Sequence, residues 1–440
     1  MKGLFINSLS DQKLIGQKLE VLGWVTGKRM HKKTIFLDVC DSTGVVQVVI
    51  NRDLVSQNCF SLSSALRIES AVSIFGVLTP SAKDGSLEVI VSDVTLIGNV
   101  DIEISPSPHS DIDIFDESLT DNLLRYRHLY IRNPKVMAIL RFRNLLKNIL
   151  QGWFEQNGYT EIDAPILVPA PLYDGSTAIG VKIRKEDVYL SQCAGFYLEA
   201  SVHAFEKVYN MGPSFRGEES RSKRHLIEYW HIKAELAWGD REDIIRIVED
   251  VISYVTKELE KKSKDLISII GKELTLSGLN VPFPRLDYRD AINLLKDGGF
   301  DIDFGVGLGS EEEEFLSKNY DSPFWIVGIP RKIEPFPYCI DQNDTELTMV
   351  ADLIANNGYG ELLGVAEKIS DFVMLKERMS EKNKENDPIY GFVKDVHQFG
   401  SVPHIAFGMG LERLMRWLLN IPHVRDCIPY PRVVRRNIMP

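Results

Sequence analysis

The fold assignment depends on residues 215–229, whose sequence is FRGEESRSKRHLIEY. Both ends of this run are strand-like, and a basic loop lies between them. A guanidinium such as that of Arg216 can neutralise an α-phosphate through two parallel hydrogen bonds, and a following carboxylate can accept from an exocyclic amine. The loop adds a cationic cluster suited to pyrophosphate, made up of Arg221, Lys223, Arg224 and His225. Taken alone, the run fits an exposed basic hairpin as well as a nucleotide site.

A second run, GMGLER at residues 408–413, is followed by the helical pattern LMRWLL. Its glycines would let the backbone approach a ligand closely, and the start of the helix would fix Arg413. The spacing is weak evidence on its own. It gains weight because it occurs in the same C-terminal domain as the first run.

Residues 126–440 have the mixed pattern of an α+β domain built around an antiparallel sheet. Apolar residues recur at helical spacing from 126 to 158, and short apolar strands follow, for example at 324–328. The acidic run 311–314 is interpreted as a solvated helix face or loop. The domain is therefore predicted to hold both runs on one framework of strands and helices.

Residues 1–102 are predicted to form a small OB-type β-barrel, with some other small barrel as the alternative. Segments rich in β-branched and aromatic residues occur at regular spacing, with a short helical pattern after the third; they are 18–25, 34–39, 45–50, 71–77 and 87–91. Residues 103–125 are predicted to be a linker, because 104–111 are rich in proline and serine and have no period.

Composition excludes several classes of protein. With 440 residues, 44% of them hydrophobic, the chain can build a large core and is not disordered throughout. A net charge of -11 argues against a generic nucleic-acid coat but not against local basic patches. The five cysteines form no CxxC pair, which disfavours a zinc knuckle or a disulfide framework. Without a long apolar run or a signal peptide, a soluble, cytoplasmic protein with no membrane partner is expected.

The two runs resemble motifs 2 and 3 of the class II aminoacyl-tRNA synthetases, in the subgroup that handles aspartate and asparagine. Residues 159–167, YTEIDAPIL, resemble motif 1, and Pro165 matches the proline at the dimer interface of that family. The likeness covers essentially the whole chain and points to the asparaginyl branch of bacterial type; a divergent paralogue of that branch stays open. It implies an OB-fold followed by a class II catalytic domain, and a homodimer.

The resemblance implies an ATP site. Arg216 would hold the α-phosphate, Glu218 would accept from the adenine amino group, and Tyr229 and Arg413 would sandwich the adenine ring. No side chain need act as an acid or base, because the reaction is an in-line attack by a carboxylate on the α-phosphate that depends on positioning and charge neutralisation.

The outer phosphates and a metal ion complete the implied nucleotide site. Arg224 and His225 would reach the outer phosphates. Asp352 and Glu361 match the acidic pair that coordinates Mg²⁺ in this family, and hard oxygen ligands suit that ion.

The barrel has residues with which this family reads a tRNA anticodon. Arg29 follows the first strand, Phe36 lies in the second and Gln47 in the third. An aromatic face can stack on an unpaired base, while Gln and Arg can hydrogen-bond to its edge. Each residue alone would be ordinary barrel surface or core, but together they favour tRNA as a partner.

The amino-acid pocket departs from the family pattern. The implied pocket residues are Ser191, Gln192, Gly195, Glu199, Lys233, Lys368 and Ile405. Where this chain has Gly195 the family has a glutamine, where it has Lys233 the family has a carboxylate, and where it has Lys368 the family has an arginine. Bulk at residues 403–406 replaces the family's Ser-Gly. Glu199 matches a glutamate that accepts from the asparagine amide; a purely structural carboxylate is the competing interpretation.

Lys233 is the departure with the largest consequence. Two like charges at about 4 Å repel by roughly 4 kcal/mol at an effective dielectric constant of 20. Either the pocket no longer accepts an ordinary α-ammonium group, or Lys233 points away and a neighbour such as Glu235 takes over.

Three functions remain open from the sequence. The favoured one is an AMP-forming ligase that activates asparagine, or a related small carboxylic acid, and transfers it to tRNA. A paralogue that transfers a different acid to ammonia or another amine is the alternative. A non-catalytic tRNA-binding protein is least favoured, because the residues implied for ATP are present.

Overall fold

Five strands close into a barrel around an apolar core in the N-terminal part of the chain. The computed structural model describes residues 3–171, 175–219, 222–274, 279–434 and 436–438. The barrel elements are β1 (Lys18–His31), β2 (Thr34–Asp41), β3 (Gly44–Asn51), α1 (Gln57–Ala65), β4 (Ala71–Pro80) and β5 (Leu87–Gly98). The strand order is β1-β2-β3-β5-β4, and the barrel is closed. The predicted OB-fold is confirmed.

The barrel core follows from strand alternation. In β2, Ile35, Leu37 and Val39 are fully buried, whereas Phe36 and Asp38, which alternate with them, are only half-buried. Each fully buried aliphatic side chain stabilises the folded barrel by about 1.5–3 kcal/mol relative to an exposed one.

The chain divides into two units. One runs through Asp113 and includes Leu129–Asn133; the other comprises Ile114–His128 and the residues from Pro134 onward. The proline- and serine-rich stretch predicted as a linker is held in the first unit, since Ser107 Oγ donates to Glu69 Oε1 at 2.7 Å. Among the described residues, no helix has both the length and the apolar character that crossing a bilayer requires.

The second unit is a mixed α+β domain, as predicted. Its helices are α2 (Thr120–Arg125), α3 (Arg127–Tyr130, which continues into the first unit), α4 (Pro134–Gln156), α5 (Gly195–Phe205), α6 (Arg241–Lys262), α7 (Lys264–Ile270), α8 (Tyr288–Asp297), α9 (Ser310–Ser317), α10 (Phe372–Glu381), α11 (Gly391–Gln398) and α12 (Leu411–Leu418). Its strands are β6 (Thr160–Glu161), β7 (Leu167–Val168), β8 (Gly180–Ile183), β9 (Glu186–Leu190), β10 (Lys207–Phe215), β11 (Glu228–Ala237), β12 (Arg285–Asp287), β13 (Phe324–Val327), β14 (Val350–Ala355), β15 (Gly360–Lys368) and β16 (His404–Gly410).

An eight-stranded sheet is the framework of this unit. Its order is β12-β13-β14-β15-β16-β11-β10-β6, and the strands from β13 to β10 pair antiparallel. A smaller antiparallel sheet has the order β7-β9-β8. The first run of the sequence therefore includes the end of β10, the connection to β11 and the start of β11, and the second run includes the end of β16 and the start of α12.

Two helices show how the local sequence sets the ends of a helix and the face that it buries. The helix predicted from 126 to 158 begins its main segment, α4, only at Pro134, because proline lacks an N–H and fits the first turn of a helix. Gly158, with φ +76°, follows its end. In α12, Leu411, Leu414, Met415, Trp417 and Leu418 are all fully buried, which fixes the direction in which Arg413 leaves the helix.

Candidate active site

A cavity of about 390 Å³ lies on one face of the eight-stranded sheet. It is lined by residues of both sequence runs and of β14 and β15. The predicted site residues on its wall are Arg216, Glu218, Arg224, His225, Tyr229, Lys233, Asp352, Glu361 and Arg413. The fold thus brings all residues predicted for the nucleotide and the metal ion to one cavity. Arg221, part of the predicted cationic cluster, lies outside the described residues.

The floor of the cavity is a row of four paired residues on four neighbouring strands. Lys233 pairs with Gly408, Gly408 with Gly364, and Gly364 with Asp352. A Cβ at Gly364 would lie 2.9 Å from Asp352 Oδ1, and one at Gly408 would lie 2.8 Å from His231 Nε2. The floor is open because the two central positions have no side chain.

Arg216 lies just beyond β10, where its backbone N–H donates to Ile227 O at 2.9 Å and keeps the two strands together. Its Nη1 is 3.6 Å from Glu218 Oε1, and its guanidinium carbon is 5.9 Å from the centre of the Tyr229 ring. Tyr229 and Glu218 raise the pKa of Arg216 despite its burial. The residue is therefore a fixed positive charge on the cavity wall.

His225 is a neutral hydrogen-bonding group in this site. Burial and the positive charge of Arg413 lower its pKa to about 4. Its Nε2 is 3.2 Å from Arg413 Nη2, and its Nδ1 is 2.6 Å from Ser222 Oγ. Because a guanidinium only donates, Nε2 accepts from Arg413 and Nδ1 carries the proton.

Two ion pairs position the remaining arginines. Arg413 Nη1 is 3.0 Å from Glu361 Oε2. Arg224 is bound by Glu313 through both terminal nitrogens, with Nη2 3.2 Å from Oε1. Gly360, with φ +78°, lies so close to this pair that a Cβ there would clash with Arg224 Nη1. Arg224 thus faces the cavity while sharing its charge with a buried carboxylate.

Glu313 corrects the interpretation of residues 311–314 as a solvated run. It belongs to α9 as predicted for a helix, but it is only 4% exposed and also accepts the Glu361 backbone N–H at 2.8 Å. A signal was available in the sequence: Glu313, Leu316 and Ser317 have helical spacing and form the buried face of α9.

Carboxylates crowd one side of the cavity, where Asp352 and Glu361 lie with Glu334, a residue that sequence reasoning missed. Burial, together with Glu361, Glu334 and Glu313, raises the pKa of Asp352 well above its usual range. Burial and Glu361 also raise the pKa of Glu334 to about 7.

Such crowding of carboxylates favours a bound cation. The described residues include no group of three or more metal-ligating side chains, but Mg²⁺ commonly takes one or two carboxylates and completes its shell with phosphate and water oxygens. Asp352 and Glu361 fit that pattern.

Lys233 faces the cavity, so the interpretation that it points away is not borne out. It is 5% exposed, and its Nζ is 3.4 Å from Cys193 Sγ. Burial alone would lower the pKa of Lys233. The pKa is nevertheless raised, because the effects of Cys193, Tyr338 and Glu235 outweigh that of burial. Cys193 and Tyr338 line the cavity with it, and neither was predicted as a site residue.

Glu199, Glu235 and Lys368 form a buried cluster behind this wall. Lys368 Nζ is 2.9 Å from Glu199 Oε2 and 3.5 Å from Glu235 Oε1. None of the three lines the cavity, and none is more than 2% exposed. Glu235 therefore does not take over a pocket role from Lys233, and Glu199 has the environment of a structural carboxylate.

Three further predicted pocket residues do not line the cavity, and two of them contact Cys193, which does. Ser191 Oγ donates to Cys193 O at 2.8 Å, and the Gly195 N–H donates to Cys193 Sγ at 3.4 Å. Gln192 Nε2 donates to Thr177 Oγ1 at 2.7 Å. These contacts fix the segment that precedes α5.

Ile405 was predicted for the pocket, but it lies on the opposite face of the sheet. It alternates with Ala406, which lines the cavity, and successive side chains of a strand point to opposite faces. Ile405 instead lines a separate cleft with Trp153 and Trp238.

The barrel residues predicted for base recognition share one face. Arg29 is paired with Phe36 across β1 and β2, and Arg29 Nη2 donates to Gln47 Oε1 at 2.9 Å. The same nitrogen lies 3.3 Å from Asp38 Oδ1, and Gln47 Nε2 donates to Glu88 Oε2 at 2.9 Å. The Arg29 side chain is 64% exposed, so this face presents an aromatic ring beside an accessible guanidinium.

Two family models match the chain. The model for tRNA synthetases class II (D, K and N) matches residues 120–434, and the model for an OB-fold nucleic acid binding domain matches residues 19–97. Residues 98–119 lie between the two matches.

Relatives and solved structures match over nearly the whole length. The chain is 36% identical to Asparagine--tRNA ligase of Pyrococcus abyssi over 426 residues, 96% of each protein. It is 34% identical to Asparagine--tRNA ligase of Desulforamulus reducens over 440 residues, 99% of each. Asparaginyl-tRNA synthetase from Pyrococcus horikoshii, solved in complex with asparaginyl-adenylate, matches with a TM-score of 0.90 and 34% identity over 99% of both chains.

Proposed function

The chain belongs to the class II tRNA synthetases and is a ligase of that family, and from this premise we propose that it activates asparagine, or a related small carboxylic acid, as an acyl-adenylate and transfers the acyl group to tRNA. The observation that carries the proposal is the single cavity in which Arg216, Arg413 and Tyr229 face Asp352 and Glu361. The names of the relatives, and the asparaginyl-adenylate bound to one solved relative, support the choice of reaction. The relatives named above do not support a paralogue that uses ammonia or another amine as acceptor.

ATP is the proposed nucleotide. Arg413 and Tyr229 hold the adenine ring between a cation and an aromatic face, and Glu218 accepts from its amino group. Arg224 directs its guanidinium toward the outer phosphates and shares it between Glu313 and a phosphate oxygen. His225, whose Nδ1–H donates to Ser222 Oγ and whose Nε2 accepts from Arg413, contributes to the same end by holding Arg413 in place. The bound nucleotide then has its α-phosphate next to Arg216.

The first step is an in-line displacement. A carboxylate oxygen of the acyl donor attacks the α-phosphorus, the bond to the bridging oxygen breaks, and pyrophosphate leaves. In the transition state, negative charge grows on the phosphate oxygens next to the fixed positive charge of Arg216. One well-placed donor in a site shielded from water lowers the free energy of activation by about 3–4 kcal/mol. Because both reactants are held on one open floor, the reaction also avoids the entropy cost of a bimolecular encounter.

Mg²⁺ is the proposed metal ion, held by Asp352 and Glu361. When bound, it neutralises phosphate charge and orients the leaving pyrophosphate. The positive charge of the metal ion would offset the repulsion between these two carboxylates and the neighbouring Glu334.

Transfer to tRNA is the second proposed step. A terminal ribose hydroxyl of the tRNA attacks the carbonyl carbon of the adenylate, and AMP leaves. The barrel face with Arg29, Phe36 and Gln47 would meet unpaired bases of the same tRNA by stacking and hydrogen bonding. A homodimer built through the segment around Pro165 is proposed as the working assembly.

The test is acid-dependent exchange of labelled pyrophosphate into ATP, followed by transfer of labelled acyl groups to bulk tRNA. Exchange with at least one small carboxylic acid, abolished by Arg216→Ala and by Arg413→Ala, is expected. No exchange over a broad panel of acids would overturn the proposed reaction, and exchange without transfer to tRNA would overturn its second half.

A further inference from the structure

The cavity of the second unit has a nucleotide end and, along β11, a second end that we call the acyl end. Tyr229 and Lys233 point to the same side of this strand, because they are an even number of positions apart, and four residues of strand span about 13 Å. A nucleotide on Tyr229 therefore directs the group attached to its α-phosphate toward Lys233 and Tyr338, which line the acyl end. An acyl donor with an α-ammonium group needs a negative partner there.

Five carboxylates of the described residues line the cavity, and arginines bind three of them. The three ion pairs are those of Glu218 with Arg216, Glu361 with Arg413 and Glu412 with Arg143. Among the described residues, the carboxylates of Asp352 and Glu334 take part in no hydrogen bond and no ion pair. Because Asp352 is the proposed partner of Glu361 in holding Mg²⁺, the Glu334 carboxylate is the one left for the acyl donor.

Glu334 lies in the connection between β13 and β14, and a buried arginine holds its backbone. Arg378 of α10 is fully buried, and its Nη2 donates to the carbonyl oxygens of Arg331, Glu334 and Pro335 at 3.2, 3.2 and 3.3 Å. Three carbonyl groups bound by one planar guanidinium leave this turn little freedom. The Glu334 side chain is therefore presented to the cavity from a fixed position.

Tyr338 links Glu334 to the acyl end. Both residues line the cavity, and they lie four positions apart in the same connection. Burial raises the pKa of Tyr338; the charge of Glu334 adds to this rise, and the charges of Lys233 and Lys368 oppose it. The phenol thus lies within electrostatic reach of both Glu334 and Lys233, which places the carboxylate near the region where the acyl donor binds.

Lys233 does not exclude an ammonium group from this region, because neighbouring groups already offset its charge. Its Nζ lies 3.4 Å from Cys193 Sγ. Burial lowers the pKa of Lys233, but Cys193, Tyr338 and Glu235 outweigh burial and raise it. A second ammonium group in the cavity is therefore not opposed by the full charge of an isolated lysine.

We propose that Glu334 determines the specificity for an amino acid by binding the α-ammonium group of the acyl donor. It takes the place of the carboxylate that the family has where this chain has Lys233. The α-carboxylate of the donor stays free to attack the α-phosphorus. The proposal rests on the proposed function, since it names a residue with which the same adenylating site selects its substrate.

Mg²⁺ is the competing partner of Glu334, because Glu361 acts on both Glu334 and Asp352. The two partners can be told apart, since the ammonium group belongs to the acid alone, whereas Mg²⁺ serves the nucleotide whichever acid is present. An ammonium group and a carboxylate at about 4 Å attract by roughly a thousandfold in affinity at an effective dielectric constant of 20, before the cost of removing both from water. We therefore expect a net effect on the amino acid of about ten- to a hundredfold.

The experiment measures pyrophosphate exchange by the full chain with asparagine and with succinamate, which is asparagine without its α-amino group. Wild-type protein is expected to have a kcat/KM for asparagine at least tenfold above that for succinamate. Glu334→Gln is expected to lower the ratio of these two values at least tenfold, mainly through the KM for asparagine. Glu334→Asp, which keeps the charge, should restore part of the ratio. Glu346→Gln removes an exposed carboxylate of the same connection, outside the cavity lining, and should leave the ratio unchanged.

Three results would overturn the inference. The first is wild-type protein that uses succinamate as well as asparagine, because then nothing in the site selects an ammonium group. The second is a ratio that Glu334→Gln leaves unchanged. The third is equal loss of exchange with both acids in Glu334→Gln, together with a higher Mg²⁺ concentration for half-maximal exchange, which would make Glu334 a metal ligand.

The proposed function stands or falls by a different result. Exchange by wild-type protein with either acid supports it, whichever of the three results is found. Absence of exchange with every acid would remove the proposed function and the inference with it. Thermal melts with ATP show whether each variant is folded.

Discussion

Lys233 and Asp352 occupy the two ends of one paired row across four strands, and both positions between them are glycines. The row gives the cavity a floor with a cation at one end, a carboxylate at the other, and bare backbone in the middle. A flat nucleotide can lie on such a floor only if the middle stays bare.

The first prediction concerns Gly408. In Gly408→Ala the new methyl group would lie 2.8 Å from His231 Nε2, closer than two such atoms approach without movement. His231 is half-buried, and its Nδ1 lies 3.4 Å from Ser214 Oγ, so we expect the ring to stay in place, the methyl group to project into the cavity, and kcat/KM for ATP to fall ten- to a hundredfold. Steady-state pyrophosphate exchange measures this. Gly391→Ala, where a methyl group meets nothing within 4 Å, is the control; equal effects of both changes would contradict the explanation.

The second prediction concerns the buried pair of Arg224 and Glu313. Glu313→Gln removes the carboxylate that binds both terminal nitrogens of Arg224 and leaves a buried guanidinium with a weaker partner. We expect a loss of about 3–5 kcal/mol in the free energy of unfolding and a raised KM for ATP. Denaturant unfolding of Glu313→Gln, Arg224→Met and the double variant tests whether the two residues act together. Additive losses would show that they do not.

The third prediction concerns pH and Glu235. Burial and the neighbouring Glu199 raise its pKa to about 7 against the pull of Lys368. Between the usual carboxyl pKa of 4.5 and that value, the folded chain keeps a proton that the unfolded chain has released. This group therefore makes stability fall as pH rises, by at most about 1.4 kcal/mol per pH unit.

The Glu235→Gln variant is expected to lack that decrease between pH 4.5 and 7. Glu199 works in the opposite direction: Lys368 and His404 hold its pKa down to about 2 although burial raises it, and its contribution is lost only as pH falls below 4.5. Denaturant unfolding across this range separates the two, with the exposed Glu260→Gln as control. A slope that Glu235→Gln leaves unchanged would assign the effect to another group.

Much of the architecture was predictable from sequence, because alternation and turn residues are local. The barrel strands and the α+β domain follow from such patterns, whereas the prediction that Arg216 and Arg413 share one site came from the resemblance to the motifs of a known family. Glu313 was misassigned because its burial depends on Arg224, 89 residues away along the chain. Composition showed an acidic run, but only tertiary packing reveals which of its members turns inward.

The acyl pocket was predicted less well, for a different reason. Residues 403–406 were treated as one bulky segment, although side chains along a strand alternate between faces. Ala406 lines the cavity and Ile405 does not. In the same way, Glu199 and Lys368 were assigned by their positions in motifs, while their mutual ion pair at 2.9 Å joins residues 169 positions apart and follows from tertiary packing alone.

The last prediction concerns the barrel face of Arg29, Phe36 and Gln47. Phe36→Ala removes a ring that can stack on an unpaired base, a contact worth about 1–3 kcal/mol. We expect weaker binding of tRNA and unchanged exchange of pyrophosphate, because the ring is not part of the cavity on the second unit.

Arg29→Ala should reduce the salt dependence of tRNA binding by about one counterion if its guanidinium contacts a phosphate rather than a base edge. Filter binding at several salt concentrations measures both effects, and Lys83→Ala, an exposed change between β4 and β5, is the control. A loss of affinity in the control equal to that in Phe36→Ala would mean that the barrel attracts RNA by charge alone, since a lysine outside this face cannot replace a stacking platform.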